Sequence, residues 1–145
     1  MWPTLLTADY QARATGPQVR VLVADDSDQL LGLIAEWLED EGYVTITATS
    51  GRRALDAALV QPPDVALLDL VMPPPDGASV CDALRRQPNP PEIILMTGLS
   101  DPERLHTASE RDIVAMLRKP LTHEDVVHAV RHAIDRRALA ALRRH

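Results

Sequence analysis

Val65-Ala66-Leu67-Leu68-Asp69 decides the fold of this chain: four apolar residues in a row, closed by a carboxylate and followed by Met72-Pro73-Pro74-Pro75-Asp76-Gly77, which cannot be helix. A short apolar run of this kind reads as a strand covered on both faces, as in a parallel sheet. The same pattern recurs on either side of it. Val19-Arg20-Val21-Leu22-Val23-Ala24 runs into Asp25-Asp26, Ile93-Ile94-Leu95-Met96 ends at Thr97, and Ile113-Val114-Ala115-Met116-Leu117 leads through Arg118 to Lys119-Pro120. Ligand sites in parallel sheets lie beyond the carboxyl ends of the strands, so these polar groups are expected to meet at one edge.

Helical segments separate the runs. Ser27 or Asp28 caps a helix expected to end near Glu41 with Gly42 as its stop, and Leu30, Leu33, Ile34, Trp37 and Leu38 supply its apolar face. Val44-Thr45-Ile46-Thr47-Ala48 alternates more and reads as a strand nearer an edge. Further helices are expected over 51–60, over 78–86, from Asp101-Pro102-Glu103 to about Glu110, and from Thr122 to as far as Arg144. Five strands alternating with five helices predict a three-layer α/β/α domain. Residues 1–18, with Pro3, Gly16 and Pro17, read as an N-terminal extension whose Trp2, Leu5 and Leu6 could dock on the domain. Residues 19–137 form the domain itself, and 138–145 the overhanging end of the last helix.

Composition narrows the function classes. A chain of 145 residues with 46% hydrophobic content has room for one core, built from aliphatic side chains because it holds two Trp, two Tyr and no Phe. A net charge of −6 argues against direct nucleic-acid binding. No apolar stretch approaches the ~20 residues of a membrane span, and no basic-then-apolar leader is present, so a cytoplasmic protein is expected. One cysteine, Cys81, fits a reducing compartment and reads as a small core residue. Lysine and arginine together number fifteen, and Lys119 is the single lysine among them. A compact, flexible ammonium at that place is not interchangeable with arginine.

The paired acids Asp25-Asp26 with Asp69 make an oxygen-rich pocket suited to Mg2+, which accepts one or two carboxylates, keeps waters and bridges to phosphate. Three carboxylates so close repel one another unless a divalent cation or a lysine offsets them. A carboxylate at a strand end can attack phosphorus, while a threonine hydroxyl and an ammonium can bind the equatorial oxygens of the transferred group.

With these residues in this order, the chain resembles the receiver domain of bacterial two-component response regulators, as a chemotaxis-regulator-like single domain. The matching residues are Asp25-Asp26, Asp69, Met72-Pro73-x-x-Asp76-Gly77, Thr97-Gly98 and Lys119-Pro120. The resemblance implies a flavodoxin-like fold with strand order 2-1-3-4-5. It implies Asp69 as phosphoacceptor, with Mg2+ held directly by Asp26, Asp69 and the Val71 carbonyl and through water by Asp25. Thr97 and Lys119 would contact the phosphoryl oxygens, and the bond before Pro120 would be cis. The implied partner is a sensor histidine kinase or phosphotransfer protein, and the implied role a phosphorelay switch rather than an enzyme acting on a separate substrate.

The chain departs from the family pattern at Met116, where receivers usually carry a switch aromatic, and at Leu121. Val71 and Leu99 place apolar groups where family members admit or orient hydrolytic water, which predicts slow autodephosphorylation. Two other readings compete. One is a receiver-like scaffold independent of phosphorylation. The other is a phosphatase of the haloacid dehalogenase type, disfavoured because its nucleophile comes first in the chain and needs a second acid where Val71 stands. His123, His128 and His132 read as a solvated helix face, since no cysteine or carboxylate completes a ligand set. Arg131, Arg136, Arg137, Arg143 and Arg144 complement the dipole of the last helix. Leu139 and Leu142 in its overhang suggest a homodimer contact or the start of a linker.

Overall fold

The computed structural model describes residues 18–98 and 100–143. Trp2, Leu5, Leu6, Leu99 and Arg144 lie outside the described residues. Five parallel strands, β1 (Arg20–Ala24), β2 (Val44–Ala48), β3 (Val65–Asp69), β4 (Glu92–Thr97) and β5 (Ala115–Arg118), pair in the order β2-β1-β3-β4-β5. Five helices alternate with them: α1 (Asp28–Asp40), α2 (Gly51–Val60), α3 (Gly77–Arg85), α4 (Pro102–Ser109) and α5 (His123–Arg143). This is the flavodoxin-like α/β/α arrangement expected from the alternation.

Side chains on a strand alternate between faces, and here each set fills its own core. Leu22, Ala66, Leu68, Ile93 and Leu95 pack with Ala54, Ala58, Val80, Cys81, Leu84 and Ala108 of α2, α3 and α4. Val21, Val23, Val65, Leu67, Ile94 and Met96 pack on the other face with Leu31, Ile34 and Leu38 of α1 and Val126, Ala129, Val130 and Ala133 of α5. The central strands are therefore apolar throughout, whereas edge strand β2 is only partly buried.

Three local expectations are corrected. The buried stripe of α1 is Leu31, Ile34 and Leu38, while Leu33 faces solvent. Ser27 caps this helix by accepting from the Leu30 amide, and Gly42 ends it with φ of 91°, a conformation suited to glycine. The helix expected from Ala78 starts at Gly77, because the Asp76 carboxylate caps it through the Ser79 amide. Strand β5 begins two residues later than its apolar run.

The arginines of α5 are also more specific than a dipole effect. Arg131 pairs with Glu41, Arg136 with Asp112 and Glu92, and Arg137 with Asp64 while donating to the Pro90 carbonyl. They fasten α5 to the end of α1 and to the loops at the amino ends of β3, β4 and β5. Among the described residues, no helix is long and apolar enough to cross a membrane.

Candidate functional site

The strand order separates β2 from β3 by placing β1 between them, so the carboxyl ends of β1 and β3 lie side by side. Asp25 follows β1 directly, Asp69 and Thr97 are the last residues of β3 and β4, and Lys119 follows β5. Backbone bonds hold these ends in register: Asp25 N to the Ala48 carbonyl at 3.1 Å, Leu70 N to Met96 at 2.7 Å, and Lys119 N to Thr97 at 2.8 Å. Asp25 is 0% exposed, Asp69 4% and Thr97 0%, and these are the buried polar residues of the described structure. Asp26, one residue on, faces solvent.

Each buried carboxylate is held from two sides. Asp25 Oδ1 accepts from the Ser27 amide at 2.8 Å and Asp69 Oδ1 from the Val71 amide at 3.2 Å. Lys119 Nζ donates to Asp25 Oδ2 at 2.6 Å and to Asp69 Oδ2 at 3.2 Å. Burial raises the Asp69 carboxyl above its ordinary value and the charge of Asp25 adds to this, while the Val71 amide and Lys119 oppose it. Burial by itself would lower the Lys119 ammonium, but its hydrogen bond to Asp25 and the two carboxylate charges outweigh that and leave it raised.

One carboxylate oxygen from each of Asp25, Asp26 and Asp69 lies within 4.8 Å of the others. A set of hard oxygen donors, two buried and one open to water, fits a small divalent cation that keeps part of its hydration shell. The single lysine already supplies part of the positive charge that three neighbouring acids require.

Val71 is exposed, and the bond between Lys119 and Pro120 is cis, as is that between Pro74 and Pro75. Met116 is half-buried and packs, with Leu105 and Ile113, against the core shared with α2, α3 and α4. The three histidines of α5 are exposed, and the described metal-capable cluster does not include them. His123 stacks edge-on against Trp37 of α1 at 5.7 Å between ring centroids.

Two glycines carry more than their sequence suggests. A Cβ on Gly77 would lie 2.2 Å from the Asp69 carbonyl oxygen, and one on Gly51 would lie 2.1 Å from that of Pro75. The first helix turn of α3 thus packs directly on the backbone of the strand-end acid, and α2 packs on the proline loop beyond it. Gly77 was marked by its place after Asp76. Nothing in the sequence around Gly51 distinguishes it from an ordinary residue of a first helical turn.

Comparison with known proteins places this pocket in context. A family model described as "Response regulator receiver domain" matches residues 21–131. The transcriptional regulatory protein KdpE of Mycobacterium tuberculosis is 37% identical over 123 residues, covering 83% of this chain and 53% of that protein. The alkaline phosphatase synthesis transcriptional regulatory protein PhoP of Bacillus subtilis is 31% identical over 122 residues, covering 84% of this chain and 51% of that protein. The chain spans about half the length of these curated relatives. A crystal structure of a response regulator receiver domain protein from Clostridium thermocellum superimposes with a TM-score of 0.76 at 29% identity, covering 84% of this chain and 98% of that one.

Proposed function

The chain belongs to the response regulator receiver domain family, and from that premise we propose that Asp69 is the phosphoacceptor of a Mg2+-dependent phosphorelay switch. The observation that carries this reading is the convergence of Asp25, Asp26, Asp69 and Lys119, contributed by three separate strands, within hydrogen-bonding or metal-sharing distance. Within the domain, taken as residues 19–137, Asp26, Asp69 and the Val71 carbonyl would hold the ion, and Asp25 would act through water. Bound there, Mg2+ offsets the charge of a phosphoryl group facing three acids.

The donor is a histidine kinase or a phosphotransfer protein. A carboxylate oxygen of Asp69 attacks phosphorus, the bond to the donor's imidazole nitrogen breaks, and the imidazole leaves. Thr97 and Lys119 bind the phosphoryl oxygens, the ammonium having three donors to share between these and its carboxylate partners. The half-buried Met116 then repacks in place of a switch aromatic. A homodimer contact through Leu139 and Leu142 at the end of α5 is a second part of this reading, favoured by the exposure of both side chains.

The test is intact mass after incubation with Mg2+ and acetyl phosphate, run beside Asp69→Asn. A single phosphoryl adduct, absent from the variant, is the expected result. Mg2+ binding without an adduct would favour the phosphorylation-independent scaffold instead. Release of inorganic phosphate from small phosphate esters over many turnovers would favour the phosphatase, for which Val71 leaves no acid in the required place.

A further inference from the structure

At the amino end of the sheet, the first described residues lie beside the last turns of α5. Gln18 and Val19 form one wall of an open groove of about 410 Å3, and Ile134, Ala138 and Ala141 form the other. The three α5 residues follow one another at spacings of four and three, so they make one stripe along the helix. Val19 and Ile134 are half-buried and pack against the core between the sheet, α1 and α5. Farther along the stripe, Ala138 and Ala141 are exposed. The groove thus prolongs that core without being filled.

The charge at its inner end is balanced within the domain. The Asp64 carboxylate accepts from the Arg20 amide at 2.8 Å and pairs with Arg137 Nε at 3.4 Å, while Arg137 Nη1 donates to the Pro90 carbonyl at 2.7 Å. What remains to be covered is apolar, and an apolar occupant is favoured by the surface it removes from water.

Where the chain enters identifies that occupant. Residue 17 adjoins the wall made by Gln18 and Val19, and the preceding sequence carries Trp2, Leu5 and Leu6 close together. Gly16-Pro17, directly before the wall, is a dipeptide that favours a turn. Leu6 precedes Gln18 by twelve positions. A coil of that length spans roughly 19 Å, whereas α5 rises about 10 Å from Ile134 to Ala141. An apolar cluster tethered at this distance reaches an effective concentration on the order of mM, which a dilute partner does not match.

We propose that residues 2–6 occupy this groove through Trp2, Leu5 and Leu6 and strap the end of α5 to the amino end of the sheet. Leu139 and Leu142 do not line the groove, so the strap and a contact between copies can coexist. The strap also stands apart from phosphorylation, because Asp69 closes β3 at the opposite end of the sheet.

Fluorescence of the full chain tests it, since Trp37→Phe leaves Trp2 as the one tryptophan. Its emission should lie to the blue of water-exposed tryptophan. Ala138→Glu should shift it to the red and raise quenching by acrylamide several-fold. Ala138 is exposed on a helix, so glutamate there should leave α5 folded. Water-like emission before that substitution, or a blue emission indifferent to it, would overturn the proposal. A second check keeps Trp37 in place. Cysteines introduced by Leu6→Cys and Ala141→Cys should join within one chain under a mild oxidant, while Cys81 is buried and stays out. They should join several-fold faster than Leu6→Cys with Asp135→Cys, on the exposed side of α5. Equal rates would refute docking in the groove, and bonds formed only between chains would assign the groove to a second copy instead.

Discussion

Lys119 is bound more closely to Asp25 than to Asp69, with Nζ 2.6 Å from Asp25 Oδ2 and 3.2 Å from Asp69 Oδ2. Its ammonium thus neutralises the fully buried member of the acidic set and leans on the strand-end acid from one side. That arrangement sets one ammonium among three acids, so a bound cation and Lys119 would compete to offset the same negative charge.

Removing the ammonium should therefore expose the competition. Lys119→Ala leaves Asp25 buried without its cationic partner and should lower stability by about 3 kcal/mol, the low end for breaking a buried pair. Mg2+ should then raise the melting temperature of Lys119→Ala more than that of the parent chain, because the ion replaces the missing charge. Thermal denaturation with and without Mg2+ decides the matter, and equal shifts in the two proteins would contradict it.

Gly77 fails for a different reason. The Cβ of Gly77→Ala would lie 2.2 Å from the Asp69 carbonyl oxygen and 2.8 Å from the Leu70 Cα, both backbone atoms that cannot rotate away. Either α3 or the end of β3 must shift, at a cost of about 2 kcal/mol or more. Urea denaturation should show this loss, and acetyl phosphate should label Asp69 more slowly. A variant as stable as the parent would mean that α3 is less tightly seated than the contact implies.

Cys81 sets an alkaline limit. Burial pushes its thiol from an ordinary 9.0 up to about 11, with the charge of Asp82 adding to the effect. The folded state then keeps a proton that the unfolded chain gives up. This contribution is fully present below pH 9 and is lost as pH rises from 9 toward about 11. Stability measured across that window should fall less steeply in Cys81→Ala. An identical slope in both proteins would show that other groups account for the decline.

Two residues beyond Asp69, Val71 is 42% exposed and offers water no hydrogen-bonding side chain. If Asp69 is phosphorylated as proposed, Val71→Asn should shorten the lifetime of the adduct several-fold. Stability should change by no more than about 0.5 kcal/mol, as for other surface substitutions. The decay of the phosphorylated mass after removal of acetyl phosphate measures it, and an unchanged or longer lifetime would argue against a role for this side chain in hydrolysis.

Leu139 and Leu142 are 56% and 71% exposed, so Leu139→Ser with Leu142→Ser should leave the monomer's melting temperature nearly unaltered. Sedimentation should show a self-associating parent and a monomeric variant. A parent that stays monomeric at high concentration would remove the dimer from the proposed function.

Much of this was written in local sequence. Apolar runs ending on Asp25, Asp69, Thr97 and the Arg118-Lys119 step announce strands and the edge where their polar groups gather. Ser27, Asp76 and Asp101 each cap a helix through bonds to residues two or three positions on, which is why caps can be read locally. Ambiguity began where two local patterns were equally good. Leu30, Leu31, Leu33 and Ile34 are apolar nearly in succession, so α1 could present more than one stripe, and packing against Val21 and Val23 selected Leu31 over Leu33. Ile113 and Val114 look like strand, and Val114 N does bond to the Ile93 carbonyl, yet the ladder begins only at Ala115.

What the sequence by itself determined, then, was the alternation of strands and helices and the set of chemical groups delivered to one edge. Both follow from periodicity and from the residue closing each run. Only the tertiary structure decided that Lys119 grips Asp25, 94 residues away, more closely than Asp69, 50 residues away. It alone decided that the arginines of α5 fasten loops. Charge pairing depends on distances of a few ångströms between groups remote in the chain, and no local pattern fixes those distances before the sheet has formed.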